Sequence, residues 1–232
     1  MSIAENVALI RENIRVAAIA AGRDPDSVVL CAATKMNDAD AVQQAIAAGV
    51  TCCGENRVQE LTEKLAQNAY AGASVHFIGH LQTNKVRQVV GKVSLIQSAD
   101  RAKLLSAINA EAARQGIVQD ILLQINIGRE PQKGGFLEEE LPKLLPSLTD
   151  FSNIRVRGLM AIPPICQNQG ENDKFFQKMH QIGVDIIEKK YDNVWVDILS
   201  MGMSDDYASA IACGSTMIRI GTAIFGARNY SK

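Results

Sequence analysis

Lys35 follows directly on the apolar run VVLCAAT (28–34), so a buried segment ends in an amine. A lysine at a strand end is either a solvated boundary charge or a nucleophile held at the mouth of a pocket. Far along the chain, RIGTAIFG (219–226) combines Arg219, Gly221 and Thr222. Gly221 has no side chain to keep an anion from the backbone N–H groups, and Thr222 adds a hydroxyl. Ser200, at the end of VWVDILS (194–200), offers another. Read alone, these are equally well loop glycines and hydroxyls. Together with Lys35 they suit an aldehyde that carries a phosphate. The amine forms a Schiff base while the loop holds the anion, and pyridoxal 5′-phosphate supplies both groups. Burial or a cationic neighbour lowers a lysine pKa and frees the amine for that bond.

These residues need a scaffold that brings residue 35 next to residues 200–222. Ile3, Val7, Ile10, Ile14 and Ala17 or Ala18 recur at steps of three and four, which predicts an amphipathic helix over 3–21 stopped by Gly22. Apolar runs then predict strands at 28–34, 50–53, 75–79, 93–98, 120–128, 155–162, 194–200 and 217–221. Helical patterns fall between them at about 38–48, 58–65, 83–91, 100–115, 137–147, 171–190 and 204–213. Strict strand–helix alternation implies a parallel α/β structure. Eight strands favour a single (β/α)8 TIM barrel with an extra N-terminal helix, and an open doubly wound sheet is the alternative. In the barrel, every candidate above stands at the C-terminal end of a strand, where active sites of this fold lie.

The totals agree with one domain spanning residues 1–232. A net charge of −1 gives no footprint for nucleic acid or an anionic membrane. No apolar run approaches the ~20 residues that span a bilayer, and the start of the chain lacks a signal-peptide pattern. A cytoplasmic protein is expected. The cysteines are Cys31, Cys52, Cys53, Cys166 and Cys213, an odd set without CxxC spacing. Free buried thiols and no metal are expected, with Cys52 and Cys53 on opposite faces of a strand.

The stretches AATK, GENRVQE, HFIGHLQTNK, INIG, GLMAI, LSMGMSDD and STMIRIGTAIFGAR occur in this order. Together they resemble the pyridoxal-phosphate homeostasis proteins, single-domain relatives of the alanine racemase barrel. The resemblance runs from about residue 28 to Arg228. It implies a barrel that binds pyridoxal phosphate covalently at Lys35. Ser200 then corresponds to a serine near the phosphate, and Gly221 and Thr222 to its backbone and hydroxyl contacts. Arg219 corresponds to an arginine facing the pyridine nitrogen, and Asn56 to a polar neighbour of the ring. The implied role is to hold and pass on the cofactor, with effects on vitamin B6 and amino-acid balance. Apo enzymes that use pyridoxal phosphate are the implied acceptors. Gly134 stands where a serine is frequent, which predicts a loosened PQKGGF loop.

A phosphate-sugar barrel enzyme without pyridoxal is one alternative, and a weak amino-acid racemase or other pyridoxal-phosphate enzyme is the other. Two points oppose the racemase. An arginine stays protonated, so a ring nitrogen facing it is an acceptor and the ring a poorer electron sink. Racemisation also needs a base on each face, and by resemblance the second comes from a tyrosine on a domain for which this chain has no room. Of Tyr70, Tyr191, Tyr207 and Tyr230, only Tyr207 falls near a strand end. Glu55 is the spare carboxylate near the site. His76 suits packing, His80 the barrel mouth and His180 a helix surface. Lys133, in PQKGG, is either a surface charge or a second amine that helps carry the cofactor outward. A monomer is expected.

Overall fold

The computed structural model describes residues 1–165, 168 and 170–226. Eight parallel strands pair in sequence order and close into a barrel. They are β1 (Val29–Ala33), β2 (Cys52–Glu55), β3 (Ser74–Phe77), β4 (Leu95–Ala99), β5 (Gln119–Ile125), β6 (Ile154–Ala161), β7 (Val194–Ser200) and β8 (Met217–Ile220). The closing seam sets Val29 beside Met217 and Cys31 beside Arg219, which excludes the open sheet. The predicted second strand forms two residues later than its apolar run. Register with both neighbours draws Gly54 against Ala33 and Glu55 against Phe77.

The helices are α1 (Ile3–Ala20), α2 (Ala39–Ala47), α3 (Val58–Ala66), α4 (Ala102–Gln115), α5 (Leu141–Ser147), α6 (Asp173–Lys189), α7 (Tyr207–Ala212) and α8 (Thr222–Phe225). α1 begins with a capping box: the Glu5 N–H donates to Ser2 Oγ at 3.2 Å, and the Ser2 N–H donates to Glu5 Oε2 at 2.7 Å. Its stripe Val7, Ile10, Ile14 and Ala18 is buried as expected. Asn6 Nδ2 donates to the Ile224 carbonyl at 2.8 Å, fastening the extra helix to α8.

Two predicted helices come out shorter. The pattern at 83–91 yields only a 3-10 turn, Thr83–Gln88. The pattern at 137–147 splits into a 3-10 turn, Glu138–Glu140, and α5. Pro142 stands in the first turn of α5 and Pro146 lies inside the helix, and neither can donate a helical hydrogen bond. Ser204 does not begin α7; Asp206 precedes it, and its carboxylate accepts from the Met203 N–H at 2.7 Å and Asn172 Nδ2 at 2.8 Å.

Strand alternation separates two cores. Cys31, Ala33, Cys52, Ile78 and Met217 pack together inside the barrel, as do Leu95, Leu122 and Met160. Ala32, Cys53, Phe77, Ile96, Ile121 and Ile218 face outward into the layer shared with the helices. Cys52 and Cys53 thus lie on opposite faces, as the period of two requires. Cys31, Cys52, Cys53 and Cys213 are free thiols; Cys166 lies outside the described residues. Among the described residues no helix is long and apolar enough to cross a membrane.

Candidate functional site

The barrel order makes neighbours of elements distant in sequence. β7, β8, β1 and β2 are contiguous, and all six candidate residues stand in these strands or directly after them. Lys35 follows β1 and is half-buried. Asn56 follows β2, and its Oδ1 is buried without a hydrogen-bond partner. Ser200 ends β7, Arg219 lies in β8, and Gly221 and Thr222 come next. A Cβ at Gly221 would lie 3.3 Å from the Ala33 carbonyl oxygen, so β8 leaves the barrel closely apposed to the end of β1.

Arg219 is the electrostatic centre of this cluster. It is 5% exposed, and its guanidinium reaches only neutral acceptors: Ser200 Oγ at 2.6 Å and the Ala161 carbonyl at 2.9 Å. Burial pushes its pKa down to about 10, opposed by nearby Cys31 and Asp206. It remains a cation at neutral pH. Among the described residues no carboxylate forms an ion pair with it. A buried charge without a counterion is costly, and a ligand acceptor at this point would offset the cost.

Ser200 is fully buried and serves Arg219. Its hydroxyl donates to Gln97 Oε1 at 2.6 Å while its oxygen accepts from the guanidinium. A hydroxyl has one proton, which here goes to Gln97, so Ser200 links Gln97 to Arg219. Gln97 Nε2 stands 2.9 Å from His76 Nδ1, and Cys52 Sγ stands 3.4 Å from the same nitrogen. A polar run therefore crosses the barrel interior from β8 to β2 beneath the mouth. At its far end, a hydrogen bond between Cys31 and Cys52 pulls the Cys52 thiol down, with help from His76, and pushes Cys31 up. Gln97 carried no signal in sequence. It matters only because barrel closure sets β4 across from β7.

Glu55 is not available as a base. It is fully buried, and its carboxylate accepts from Thr34 Oγ1 at 3.0 Å, Lys64 Nζ at 2.7 Å, Tyr70 Oη at 3.2 Å and the Asn56 N–H at 2.8 Å. Tyr70 has its pKa raised by burial first and by Glu55 next. Tyr191 and Tyr207 pack partly buried against the core, and Tyr230 lies outside the described residues. His76 is buried, His180 is exposed on α6, and His80 stands near the mouth with Nδ1 3.2 Å from Asp100 Oδ2. A cavity of about 220 Å³ opens there between Asn56, His80, Asp100, Asn126 and Lys133.

The PQKGGF loop is tied down rather than loosened. Lys133 pairs with Glu130 and donates to the Pro163 carbonyl at 3.0 Å. Asn126 Nδ2 donates to the carbonyls of Glu130 at 2.9 Å and Lys133 at 3.2 Å, and Gln124 Nε2 donates to that of Gly134 at 2.8 Å. Gly135 has φ of +129°, and a Cβ there would lie 2.6 Å from the Asn126 nitrogen.

The family model of the alanine racemase N-terminal domain matches residues 6–229. The pyridoxal phosphate homeostasis protein of Haemophilus influenzae is 41% identical over 233 residues, covering 100% of this chain and 98% of that protein. The chain belongs to this family. The protein of the same name from Aquifex aeolicus is 39% identical, covering 99% of this chain and 100% of its own length. The solved structure of PipY from Synechococcus elongatus, with PLP bound, superposes with a TM-score of 0.85 at 32% identity, covering 97% of this chain and 100% of that one.

Proposed function

We propose that this chain binds pyridoxal 5′-phosphate through a Schiff base at Lys35 and serves intracellular cofactor homeostasis and carriage. The observation that carries the reading is the buried Arg219 guanidinium, held by two neutral acceptors beside β1, the strand that leads to Lys35. That cation calls for a ligand acceptor, and a pyridine nitrogen is one. The orphaned Asn56 Oδ1 and the side-chain-free Gly221 beside Ala33 also fit a bound group with polar edges. Gly221 and Thr222 would hold the phosphate, Ser200 would fix Arg219, and Asn56 would border the ring. When bound, the cofactor supplies an aldehyde for an amine and an electron-withdrawing ring.

Carriage is favoured over racemisation by the fate of the second-base candidates. Glu55 is occupied by four donors, and Tyr70 and Tyr207 are engaged in packing. The protein is expected to act in the cytoplasm as a monomer that hands its cofactor to apo enzymes, without nucleic acid or membrane as partner.

Added pyridoxal phosphate should produce a visible absorption band that borohydride abolishes. Peptide mapping of the reduced protein should then place the label on Lys35. A label mainly on another lysine would overturn the assignment. Deuterium exchange at Cα of amino acids separates the two activities: exchange well above that of free cofactor favours the racemase.

A further inference from the structure

Both peptide groups that flank Lys35 are gripped by one cluster of charges on α3 and β2. On the near side, the Thr34 carbonyl accepts from Lys64 Nζ at 2.8 Å, and the Thr34 hydroxyl donates to Glu55 Oε2 at 3.0 Å. On the far side, the Met36 N–H donates to Glu60 Oε2 at 2.6 Å. Lys64 Nζ joins the two acids, 2.7 Å from Glu55 Oε2 and 3.4 Å from Glu60 Oε2. The Lys64 side chain is 6% exposed, that of Glu55 0% and that of Glu60 17%. Glu60 and Lys64 stand one helical turn apart, so α3 presents acid and ammonium together to the β1 exit.

Met36 shows why a grip is needed. Its φ of +61° lies in the left-handed region, which non-glycine residues adopt only where their surroundings enforce it. The chain therefore turns sharply just past Lys35; Asn37 closes the turn locally, its N–H donating to the Thr34 carbonyl at 3.2 Å and its Nδ2 to the Lys35 carbonyl at 3.0 Å, and the Glu60 hydrogen bond to the Met36 N–H ties it to α3. A buried ion pair contributes little net stability against an apolar replacement, so stability alone is a poor account of this one. Instead, Lys64 reaches the Thr34 carbonyl and Glu60 the Met36 N–H, in the two peptide planes that set where the Lys35 side chain starts, while Glu55 holds Lys64 and the Thr34 hydroxyl.

We propose that Glu55, Glu60 and Lys64 form a positioning clamp that fixes the backbone on both sides of Lys35 and so aims its amine into the barrel mouth. The proposal rests on Lys35 as the cofactor lysine. The three clamp residues are positioning residues, acting through the backbone of Lys35.

The test compares Glu60→Ala, which removes the acceptor for the Met36 N–H, with Glu60→Gln, which keeps a carbonyl there. Pyridoxal phosphate is added to each full-length protein, and growth of the visible band gives the rate of bond formation. Glu60→Ala should slow that rate about tenfold or more at an unchanged melting temperature, because small misplacements of a reacting group are costly. Glu60→Gln should stay near wild type. Should Glu60→Ala fold poorly, the double variant Glu55→Gln with Lys64→Met removes the ammonium without stranding a buried carboxylate, and the same slowing is expected. Wild-type rates in these variants would overturn the clamp. Competitive acetylation of Lys35 in the protein without added cofactor gives a second reading. Glu60→Ala must alter the Lys35 labelling rate relative to other lysines, and Glu60→Gln must not. If wild-type protein shows no borohydride label on Lys35, the cofactor assignment fails, while the acetylation comparison still decides the clamp.

Discussion

At Arg219 the strands bury a cation that meets only neutral acceptors, and this makes its role separable from that of the phosphate contacts. Arg219→Ala should change the visible spectrum of the bound cofactor, or its pH dependence, while retaining some binding. Identical spectra at full loading would refute contact between Arg219 and the ring nitrogen. Thr222→Ala should weaken binding by about 1.5–3 kcal/mol, the value of a hydrogen bond to a charged group, measured by titration of the visible band. Gln97→Leu should act through Ser200, which would lose the acceptor that now takes its proton. It is expected to move the spectrum in the same direction as Arg219→Ala but by less.

The elements around the mouth are held by specific backbone demands. The loop after β5 is fixed by Asn126, whose side chain donates to two of its carbonyls, and by Gly135, whose φ of +129° suits glycine alone. Gly135→Ala adds a Cβ 2.6 Å from the Asn126 nitrogen. It should destabilise the protein by about 1–3 kcal/mol in denaturant unfolding, with the chief structural change confined to this loop. The same loop carries Lys133, pinned between Glu130 and the Pro163 carbonyl. If Lys133 assists release, Lys133→Ala should keep equilibrium binding at Lys35 and slow transfer to an apo acceptor enzyme. Unchanged transfer at matched loading would leave Lys133 as a loop anchor.

For the whole molecule, the candidate site residues come from β7, β8, β1 and β2, across the seam where the barrel closes. A ligand that touches both ends of the chain should therefore stabilise the closed fold. At a cofactor concentration of about 100 Kd the linkage is about 2.7 kcal/mol. For a chain of this size that corresponds to a rise in Tm of roughly 5–11 °C, read by thermal melting. Lys35→Ala should show a smaller rise, since it keeps the phosphate contacts and loses the covalent bond. An equal rise in both proteins would argue against bonding at Lys35.

The alternation of eight apolar runs with helical stripes was enough to determine a parallel α/β structure and to favour the barrel, because strand and helix periods are local properties of the chain; the β1–β8 seam decided closure. The placement of Lys35, Asn56, Arg219, Gly221 and Thr222 at or just past the strand ends was legible for a related reason: the fold puts strand ends at one face, so position in the pattern predicts location. The boundaries near prolines were less legible, as α5 shows, since a helical stripe does not register a missing N–H donor. The partners of the site residues depended on contacts between strands remote in sequence. Nothing local to Gln97 announces that it will accept the Ser200 proton, and Glu55 resembles a spare base until Thr34, Lys64 and Tyr70 close around it. Ser200 itself was found by position yet turns inward to Arg219. Closing the barrel brings residue 97 to residue 200 and residue 31 to residue 219, and only that closure decides which polar groups meet in the dry interior and which remain for a ligand.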